Sequence, residues 1–303
     1  MIDLSVLIVS HETAPLLIEC LDSLAEARRA HPELAFEVLV IDNGSRDSSV
    51  ARAVAHPIAP RVIAGLQNRG FAAAVNRGLR LRRGRHVLLL NSDVRIQPDL
   101  LARAVAILDV RGDVGVLGPA LVHEDGRPQR SVHSIPSLGR ELIPEWMRPG
   151  TGRRNAWASI GLDASSPAPE GEALREVEAL RGAVFFIRGD VVEKLGMLDE
   201  GYFFFLEETE YCARVREAGY RVGYCAFLQA THQLGASSKR KAPLATRIEY
   251  HRSLYRFLRR REGARVANTV RSARILRNGA TVVVLGLPAL LLPKLRARWA
   301  ERW

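Results

Sequence analysis

The stretch Val87-Leu88-Leu89-Leu90-Asn91-Ser92-Asp93-Val94 decides the fold. Its apolar residues are followed at once by Asn-Ser-Asp. An apolar run of this length favours a strand that is buried on both faces, as in a parallel sheet. An acid directly after such a strand lies at the edge of the sheet where open α/β proteins bind their ligands. Asp93 could equally turn the chain or cap the next element, so both interpretations stay open at this point.

Further apolar runs alternate with amphipathic segments on both sides of this stretch. The alternation predicts βαβ units, and therefore an α/β fold with a mostly parallel central sheet flanked by helices. The predicted strands are 4–9, 36–41, 62–63, 86–90, 114–117 and 184–187, and helices are predicted after Pro15 and Pro98 and over 71–81 and 207–218. The stretch 120–176 is rich in Pro, Gly, Ser and Arg, which predicts loops, including a segment around 148–169.

Composition limits the class of protein. The chain has 303 residues, of which 47% are hydrophobic and 25% charged, and this fits one large globular domain or a domain with an appendage. Its three cysteines have no CxxC spacing, which argues against a disulfide framework and a cysteine zinc site and fits a reducing compartment. The N-terminus lacks the basic flank and apolar core of a signal peptide, so a cytoplasmic location is expected.

The positive charge is concentrated near the C-terminus. Residues 239–303 contain 17 Lys and Arg against 3 Glu, a net +14, so 1–238 carries −3 of the overall +11. We therefore predict two parts, a body at 1–238 and a basic helical extension at 239–303. The apolar segment 279–293 would span about 22 Å as a helix, short of the roughly 30 Å bilayer core. Flanking arginines and tryptophans predict that it lies in or dips into the cytoplasmic leaflet; the alternative is a buried helix covering the body.

Acidic residues mark the places where chemistry is expected. Asp42 and Asp93 each follow a predicted parallel strand, so they should share one edge of the sheet. Glu207, Glu208 and Glu210 lie at the start of a predicted helix, where complementing the helix dipole is an ordinary explanation. The aromatic run 202–205 precedes them, and aromatic bulk beside a carboxylate desolvates it and raises its pKa, as a general base requires.

Several other enzyme classes are not supported by the sequence. It has no GxGxxG after a strand, no GxxxxGK[ST], no HExxH and no GxSxG. These motifs would indicate a dinucleotide dehydrogenase, a P-loop enzyme, a zinc protease and a serine hydrolase.

Five segments occur in the order found in a known family. They are VLIVSH at 6–11, VIDNGSRD at 40–47, NRGF at 68–71 with NRG at 76–78, LNSD at 90–93, and LDE at 198–200 with EETEYCAR at 207–214. Together they resemble glycosyltransferase family 2, the inverting enzymes of GT-A fold. The Asn-x-Gly-Phe block at 68–71 and the block that begins with LDE at 198–200 are most similar to its rhamnosyltransferase-like branch. The resemblance covers about residues 4–260.

The resemblance implies a role for each of these segments. Asp42 would hydrogen-bond the base or ribose of a nucleoside-diphosphate sugar, and Asp93 would bind a Mg²⁺ or Mn²⁺ ion that bridges the diphosphate. His232 would be a second metal ligand or a diphosphate contact; the alternative is a structural histidine. The other residues implied to bind the nucleotide sugar are Ser10, Glu12, Asn68, Gly70, Asn76, Asn91 and Ser92.

The catalytic base implied by the resemblance is Glu208. Relatives usually have Glu-Asp here and a second Asp two places on, whereas this chain has Glu207-Glu208 and then Glu210. The side chain of Glu208 would be one methylene longer than the aspartate that relatives have at this position. Glu207 or Glu210 could be the catalytic base instead.

The resemblance therefore implies a metal-dependent inverting glycosyltransferase. A sugar, rhamnose by the branch it resembles, would pass from a dTDP- or UDP-sugar to a glycan or lipid-linked acceptor in cell-surface polysaccharide synthesis. The nucleotide-sugar half would be about 1–118 and the acceptor half about 119–238, with 239–303 on the cytoplasmic face of the cell membrane. No nucleic acid is expected as a partner. The alternatives are a catalytically inactive relative that binds sugar or a partner, and a nucleic-acid-binding protein acting through the basic tail.

Overall fold

The computed structural model describes residues 1–143, 174–233 and 243–281. Contacts among the residues group the chain into two compact units, Met1–Ile135 with Gly152–Ser253 and Pro136–Thr151 with Leu254–Trp303. The division at 238 was drawn from charge rather than contacts, and it stays a prediction.

The described residues form strands and helices that alternate through the first unit. The strands are β1 (Leu4–Ser10), β2 (Phe36–Asp42), β3 (Arg61–Ala64), β4 (His86–Asn91), β5 (Val94–Ile96), β6 (Val114–Val122), β7 (Val132–His133), β8 (Leu174–Glu176), β9 (Ala179–Leu180), β10 (Val184–Ile187) and β11 (Arg221–His232). The helices are α1 (Ala14–Ala30), α2 (Ser49–Val54), α3 (Phe71–Leu79), α4 (Leu100–Val110), α5 (Leu138–Leu142), α6 (Gly189–Leu195), α7 (Glu207–Glu217), α8 (Pro243–Arg261) and α9 (Ala264–Thr281).

Within the described residues a central nine-stranded sheet follows the order β3-β2-β1-β4-β10-β6-β11-β5, with β8 paired to β11. Strands β3, β2, β1 and β4 are parallel to one another, and β6 is parallel to β11. Strand β10 runs antiparallel to both β4 and β6. The register pairs Ser10 with Asp42 and Val9 with Asn91, so the ends of β1, β2 and β4 meet at one edge.

Hydrophobic layers cover both faces of this sheet. On β1, Val6 and Ile8 pack in one cluster with residues of α1 and α4, whereas Leu7 packs in the other with residues of α3 and α7. The alternation follows from the two-residue period of a strand. On α1, one buried stripe runs through Leu17 and Leu21 at helical spacing. The predicted α/β fold with a central sheet flanked by helices is confirmed.

All three cysteines lie in these layers and are free thiols. Burial raises the pKa of the Cys20 thiol, and it raises the pKa of Cys212 to about 12 and of Cys225 to about 11. They are therefore protonated at neutral pH, and the structure gives them a packing role.

The segment after 117 is more regular than the sequence predicts. Strand β6 continues to Val122 through Pro119, which has no N–H to donate. The pairing of β11 with β6 jumps from Cys225–Pro119 to Gln229–Ala120, so a bulge in β11 accommodates the proline. Strand β7 and α5 also fall within the stretch predicted as loops, and residues 144–173 lie outside the described part.

The second unit, where described, consists of α5, the end of α8 and α9. Helix α9 packs on α5, and Arg274 on α9 forms an ion pair with the carboxylate of Glu141. Of the apolar segment 279–293, residues 282–293 lie outside the described residues. In the part of the chain that is described, none of the helices is both long and apolar enough to cross a membrane.

Candidate active site

Hydroxyl groups connect the ends of β1 and β4 at the shared edge of the sheet. Ser10 Oγ lies 3.1 Å from Thr13 Oγ1, which lies 2.9 Å from Ser92 Oγ. All three side chains are buried. Ser10 and Ser92, both predicted to lie near the nucleotide, thus belong to one network that fixes the turn after β4.

Asp42, at the end of β2, uses one carboxylate oxygen to shape the following turn. Its Oδ1 accepts hydrogen bonds from the backbone N–H groups of Gly44 and Ser45, at 3.1 and 2.9 Å. Its Oδ2 is buried and has no hydrogen-bond partner among the described residues. Ser45 Oγ in turn accepts from the N–H of Glu12, whose φ is 53°. Asp42 therefore keeps one free acceptor at the edge where a ligand is expected.

The Asn68–Gly70 loop is fixed against the same turn by side-chain amides. Asn43 Nδ2 donates to Asn68 Oδ1 at 2.9 Å and to the Gly70 carbonyl at 3.1 Å. Gly70 has a φ of 89°, and a Cβ there would lie 2.5 Å from the carbonyl oxygen of Phe203. Phe71 N–H donates to that same oxygen at 2.8 Å. Glycine is required here because the loop and the 203–206 segment touch backbone to backbone.

Asn76 and Asn91 occupy different environments. Asn76 Nδ2 donates to the Leu198 carbonyl at 2.8 Å and to Glu200 Oε1 at 3.0 Å, and its Oδ1 accepts from the Leu198 N–H. Both ends of this amide therefore join α3 to the segment before α7, and a nucleotide contact by Asn76 stays a prediction. Asn91 ends β4 beside Ser92 and is partly exposed.

Asp93 and His232 face each other across the pairing of β5 with β11. His232 Nε2 lies 3.4 Å from Asp93 Oδ1, and both side chains are buried. On its other side, His232 Nδ1 lies 3.0 Å from Gln129 Oε1. Gln129 Nε2 donates to the carbonyls of Val122 and His232, at 3.2 and 2.5 Å, which fixes the orientation of the amide. An amide oxygen only accepts, so His232 Nδ1 must carry a hydrogen.

The lone pair of Nε2 on a neutral His232 therefore points at the Asp93 carboxylate. A positive charge on or between the two atoms, either a proton on Nε2 or a bound cation, would stabilise this arrangement. Carboxylate oxygen and imidazole nitrogen are both ligands of divalent metals. Groups of three or more such ligands do not occur among the described residues. The pair thus fits an ion that takes its other ligands from phosphate oxygens and water.

The three glutamates at the start of α7 differ in their surroundings. Glu210 forms an ion pair with Arg214, whose Nε lies 2.9 Å from its Oε1, so its charge is already balanced. Glu207 is buried, and its Oε2 has no hydrogen-bond partner in the described part of the chain. Burial, with the charge of Glu208, raises the pKa of Glu207 well above its usual range. Burial therefore favours the protonated form of Glu207.

Glu208 is half-buried, and desolvation raises its pKa to about 7. The nearby charge of Arg181 opposes this rise. Gly182 lies against Glu208, since a Cβ on this glycine would be 3.3 Å from Glu208 Cγ. Phe205 and Leu206, just before α7, have positive φ values of 73° and 67°. Such backbone is rare outside glycine and is concentrated at functional sites.

Sequence reasoning missed several residues of this site. Gln129 gives no local signal, because it lies in a loop and contacts a histidine 103 positions away. Phe203 was noted only as part of an aromatic run, yet its backbone oxygen is what contacts the Gly70 loop. For Arg181 the sequence does offer a signal, because it is a cation directly before Gly182 and the apolar strand β10.

A sheet with acids at one edge, and one buried and one half-buried carboxyl at the start of a helix, is the arrangement expected of the GT-A fold. The model of glycosyl transferase family 2 matches residues 5–167, more than half of the chain. The chain belongs to glycosyl transferase family 2, and the predicted resemblance is confirmed.

Relatives agree with this assignment. The chain is 28% identical over 275 residues to N-acetylglucosaminyl-diphospho-decaprenol L-rhamnosyltransferase of Mycobacterium tuberculosis, covering 84% of this chain and 83% of the relative. It is 28% identical over 201 residues to the low-salt glycan biosynthesis hexosyltransferase Agl10 of Haloferax volcanii, covering 65% and 58% of the two chains. The protein is thus a glycosyltransferase of polysaccharide or glycan biosynthesis with rhamnosyltransferase-like homologues.

A solved structure supports the fold. The mannosyltransferase PcManGT from Pyrobaculum calidifontis, in complex with GDP-Man and Mn²⁺, is 18% identical with a TM-score of 0.58, covering 97% of this chain and 82% of that one. At this identity the likeness shows the fold alone.

Proposed function

We propose that the chain is an inverting glycosyltransferase that moves rhamnose from a dTDP- or UDP-sugar to a hydroxyl of a lipid-linked glycan acceptor. The observation that carries the proposal is the half-buried carboxyl of Glu208, whose pKa of about 7 suits a general base at neutral pH. The M. tuberculosis relative, by its name a rhamnosyltransferase acting on a diphospho-decaprenol acceptor, supports the sugar and the acceptor class.

Glu208 takes the proton of the acceptor hydroxyl while that oxygen bonds to the anomeric carbon. The bond from this carbon to the donor phosphate breaks on the opposite face, its electron pair leaves with the nucleoside diphosphate, and the anomeric configuration inverts. Burial favours the protonated form of Glu207, and Glu210 is paired with Arg214, so both are weaker candidates for the base.

On the donor side, the free Oδ2 of Asp42 is the acceptor for a hydroxyl or N–H of the nucleotide. Asp93 and His232 would hold Mg²⁺ or Mn²⁺, which supplies positive charge to the departing diphosphate. The orientation of His232 by Gln129 supports this role, because it leaves Nε2 free to face Asp93.

The basic residues of 239–303 support peripheral contact with the anionic cytoplasmic face of the cell membrane. Such a location would bring the active site to a lipid-linked acceptor. Binding to vesicles with and without anionic lipid tests this part separately.

Thermal unfolding with dTDP-, UDP- and GDP-sugars, with and without Mn²⁺, tests the donor side. A ligand at 100 times its dissociation constant should add about 2.7 kcal/mol of stability. We expect sugars of one nucleotide to stabilise the wild type, and only when Mn²⁺ is present. This stabilisation should be smaller in Asp42→Asn and absent in Asp93→Asn. Asp125→Asn is the matched control, because Asp125 is an exposed acid paired with Arg127. If none of these nucleotide sugars stabilises the wild type, the proposal is wrong, and the inactive-relative interpretation takes its place.

A further inference from the structure

Arg181 differs from three other half-buried arginines of the first unit. Arg82, Arg188 and Arg214 each form an ion pair with a carboxylate. The guanidinium of Arg181 instead donates to the backbone carbonyl of Arg130 at 3.4 Å. Among the described residues, no carboxylate lies within 4.0 Å of it. A partly desolvated cation that touches no carboxylate is costly, so an anion in direct contact with it would stabilise it.

The pairing of β7 with β9 brings a second arginine, Arg130, close to Arg181. Val132 pairs with Leu180, and the N–H of Arg181 donates to the Ser131 carbonyl at 2.8 Å. Arg130, the residue before Ser131, therefore lies near Arg181, and its carbonyl accepts a hydrogen bond from the Arg181 guanidinium. Its Nε donates to the Val132 carbonyl at 3.2 Å, its side chain is exposed, and it too is without a carboxylate partner in the described part of the chain.

The side chains near this pair include a neutral histidine and a glutamate. His133 lies on β7 and its Nε2 is 2.8 Å from Thr209 Oγ1 on α7. Burial, together with the charges of both arginines, lowers the pKa of His133 to about 4, so it is neutral at pH 7. The charge of Glu178 acts to raise the pKa of His133. Its carboxylate accepts a hydrogen bond from the Ile135 N–H at 3.0 Å.

The arginine pair lies beside the proposed catalytic base. Gly182 follows Arg181 directly and lies against Glu208, and the charge of Glu208 acts on Arg181. No ion pair joins Arg181 to Glu208 within the described residues, so the guanidinium can bind a ligand next to the carboxylate. An anion held there would lie on the acceptor side of the reaction, next to the hydroxyl that Glu208 deprotonates.

We propose that Arg181 and Arg130 bind a phosphate group of the acceptor and thereby set its position relative to Glu208. Guanidinium groups match phosphate oxygens with paired, charge-assisted hydrogen bonds. This inference rests on the proposed transferase function and names the acceptor as a phosphorylated one. The phosphate could belong to a lipid diphosphate or to a phosphodiester of the glycan, and the chemistry at the arginines is the same.

Isothermal titration without metal tests the site, with geranyl diphosphate representing the lipid source and glycerol 3-phosphate the glycan source. We expect the wild type to bind one of the two probes. Losing one charge-assisted contact should raise the dissociation constant about ten-fold or more in Arg181→Gln and in Arg130→Gln. Arg127→Gln is the matched control on the same loop, because Arg127 is exposed and paired with Asp125, and it should bind as the wild type does. Because the Arg130 side chain is exposed, Arg130→Gln should fold as the wild type does.

Three results would overturn the inference. The wild type could bind neither probe, or both arginine variants could bind as tightly as the wild type. In a parallel titration with dTDP or UDP and Mn²⁺, the same variants should bind the nucleotide normally; a loss there would assign the arginines to the donor diphosphate instead. If the wild type binds no nucleotide, the proposed function fails on its own, whatever the geranyl diphosphate result.

Discussion

Replacing Glu208 by Gln should stabilise the protein, and the gain should grow with pH. The native pKa of about 7 lies above the ordinary value of 4.5, so folding favours the protonated carboxyl. Below pH 4.5 the Glu208 carboxyl is protonated in both the folded and the unfolded state, so its burial does not lower the free energy of unfolding. As pH rises from 4.5 to 7 the unfolded state releases its proton first, so wild-type stability falls. At 1.36 kcal/mol for each pKa unit, the penalty approaches about 3 kcal/mol above pH 7, an upper value because Glu208 keeps some contact with solvent.

Urea unfolding of the wild type and Glu208→Gln at a series of pH values measures this difference. We expect similar stabilities near pH 4.5 and a gap of about 2–3 kcal/mol near pH 8. Glu217→Gln is the control, since Glu217 lies exposed at the other end of α7. A gap that stays constant with pH would show that the carboxyl is not desolvated, and the reasoning that makes Glu208 a general base would fall with it.

Three further predictions concern activity, metal binding and the backbone. The kcat/KM for the acceptor should rise with pH through about 7, and Glu208→Gln should lower kcat by about 10²–10⁴-fold in initial-rate assays. Gln129→Leu should weaken Mn²⁺ binding about 10–100-fold, measured by electron paramagnetic resonance of free Mn²⁺, because the imidazole loses the acceptor that orients it. Gly70→Ala should lower the free energy of unfolding by about 1–3 kcal/mol more than Gly126→Ala in urea titrations, because only the first meets backbone atoms.

Each of these has an outcome that contradicts it. A flat pH profile for the acceptor would exclude Glu208 as the titrating base. Mn²⁺ affinity that falls equally in Gln97→Leu, an exposed glutamine, would point to a general effect on the fold. Equal losses in the two alanine variants would mean that the contact between the Gly70 loop and Phe203 carries no energy.

The strands of the donor half could be predicted because they are buried on both faces. In β1, β2 and β4 the apolar run alone gives the strand, and a parallel arrangement then brings Asp42 and the Asn91-Ser92-Asp93 turn to one edge. The direction of β10 could not be predicted in this way. The apolar residues of Val184–Ile187 fit a buried strand of either direction, and β10 runs antiparallel to β4.

The polar contacts of the site were less accessible to sequence reasoning. Gln129 contacts His232 only because β6 continues through Pro119 and brings the following loop beside the end of β11. A proline ordinarily indicates a break in a strand, and the bulge in β11 that accommodates Pro119 has no signature in the sequence. The choice among the three glutamates depends on burial, which spacing does not supply, although the pairing of Glu210 with Arg214 follows from their i, i+4 spacing.

The burial of all three cysteines makes the natural chain a convenient background for site-specific labelling. Their thiols are shielded and protonated, so a maleimide reagent should leave them untouched in the folded protein. A single cysteine introduced on the surface would then be the reactive one. A fluorophore placed beside Arg130, or a photo-crosslinker at the same point, could report on acceptor capture in the intact enzyme without first removing any native residue.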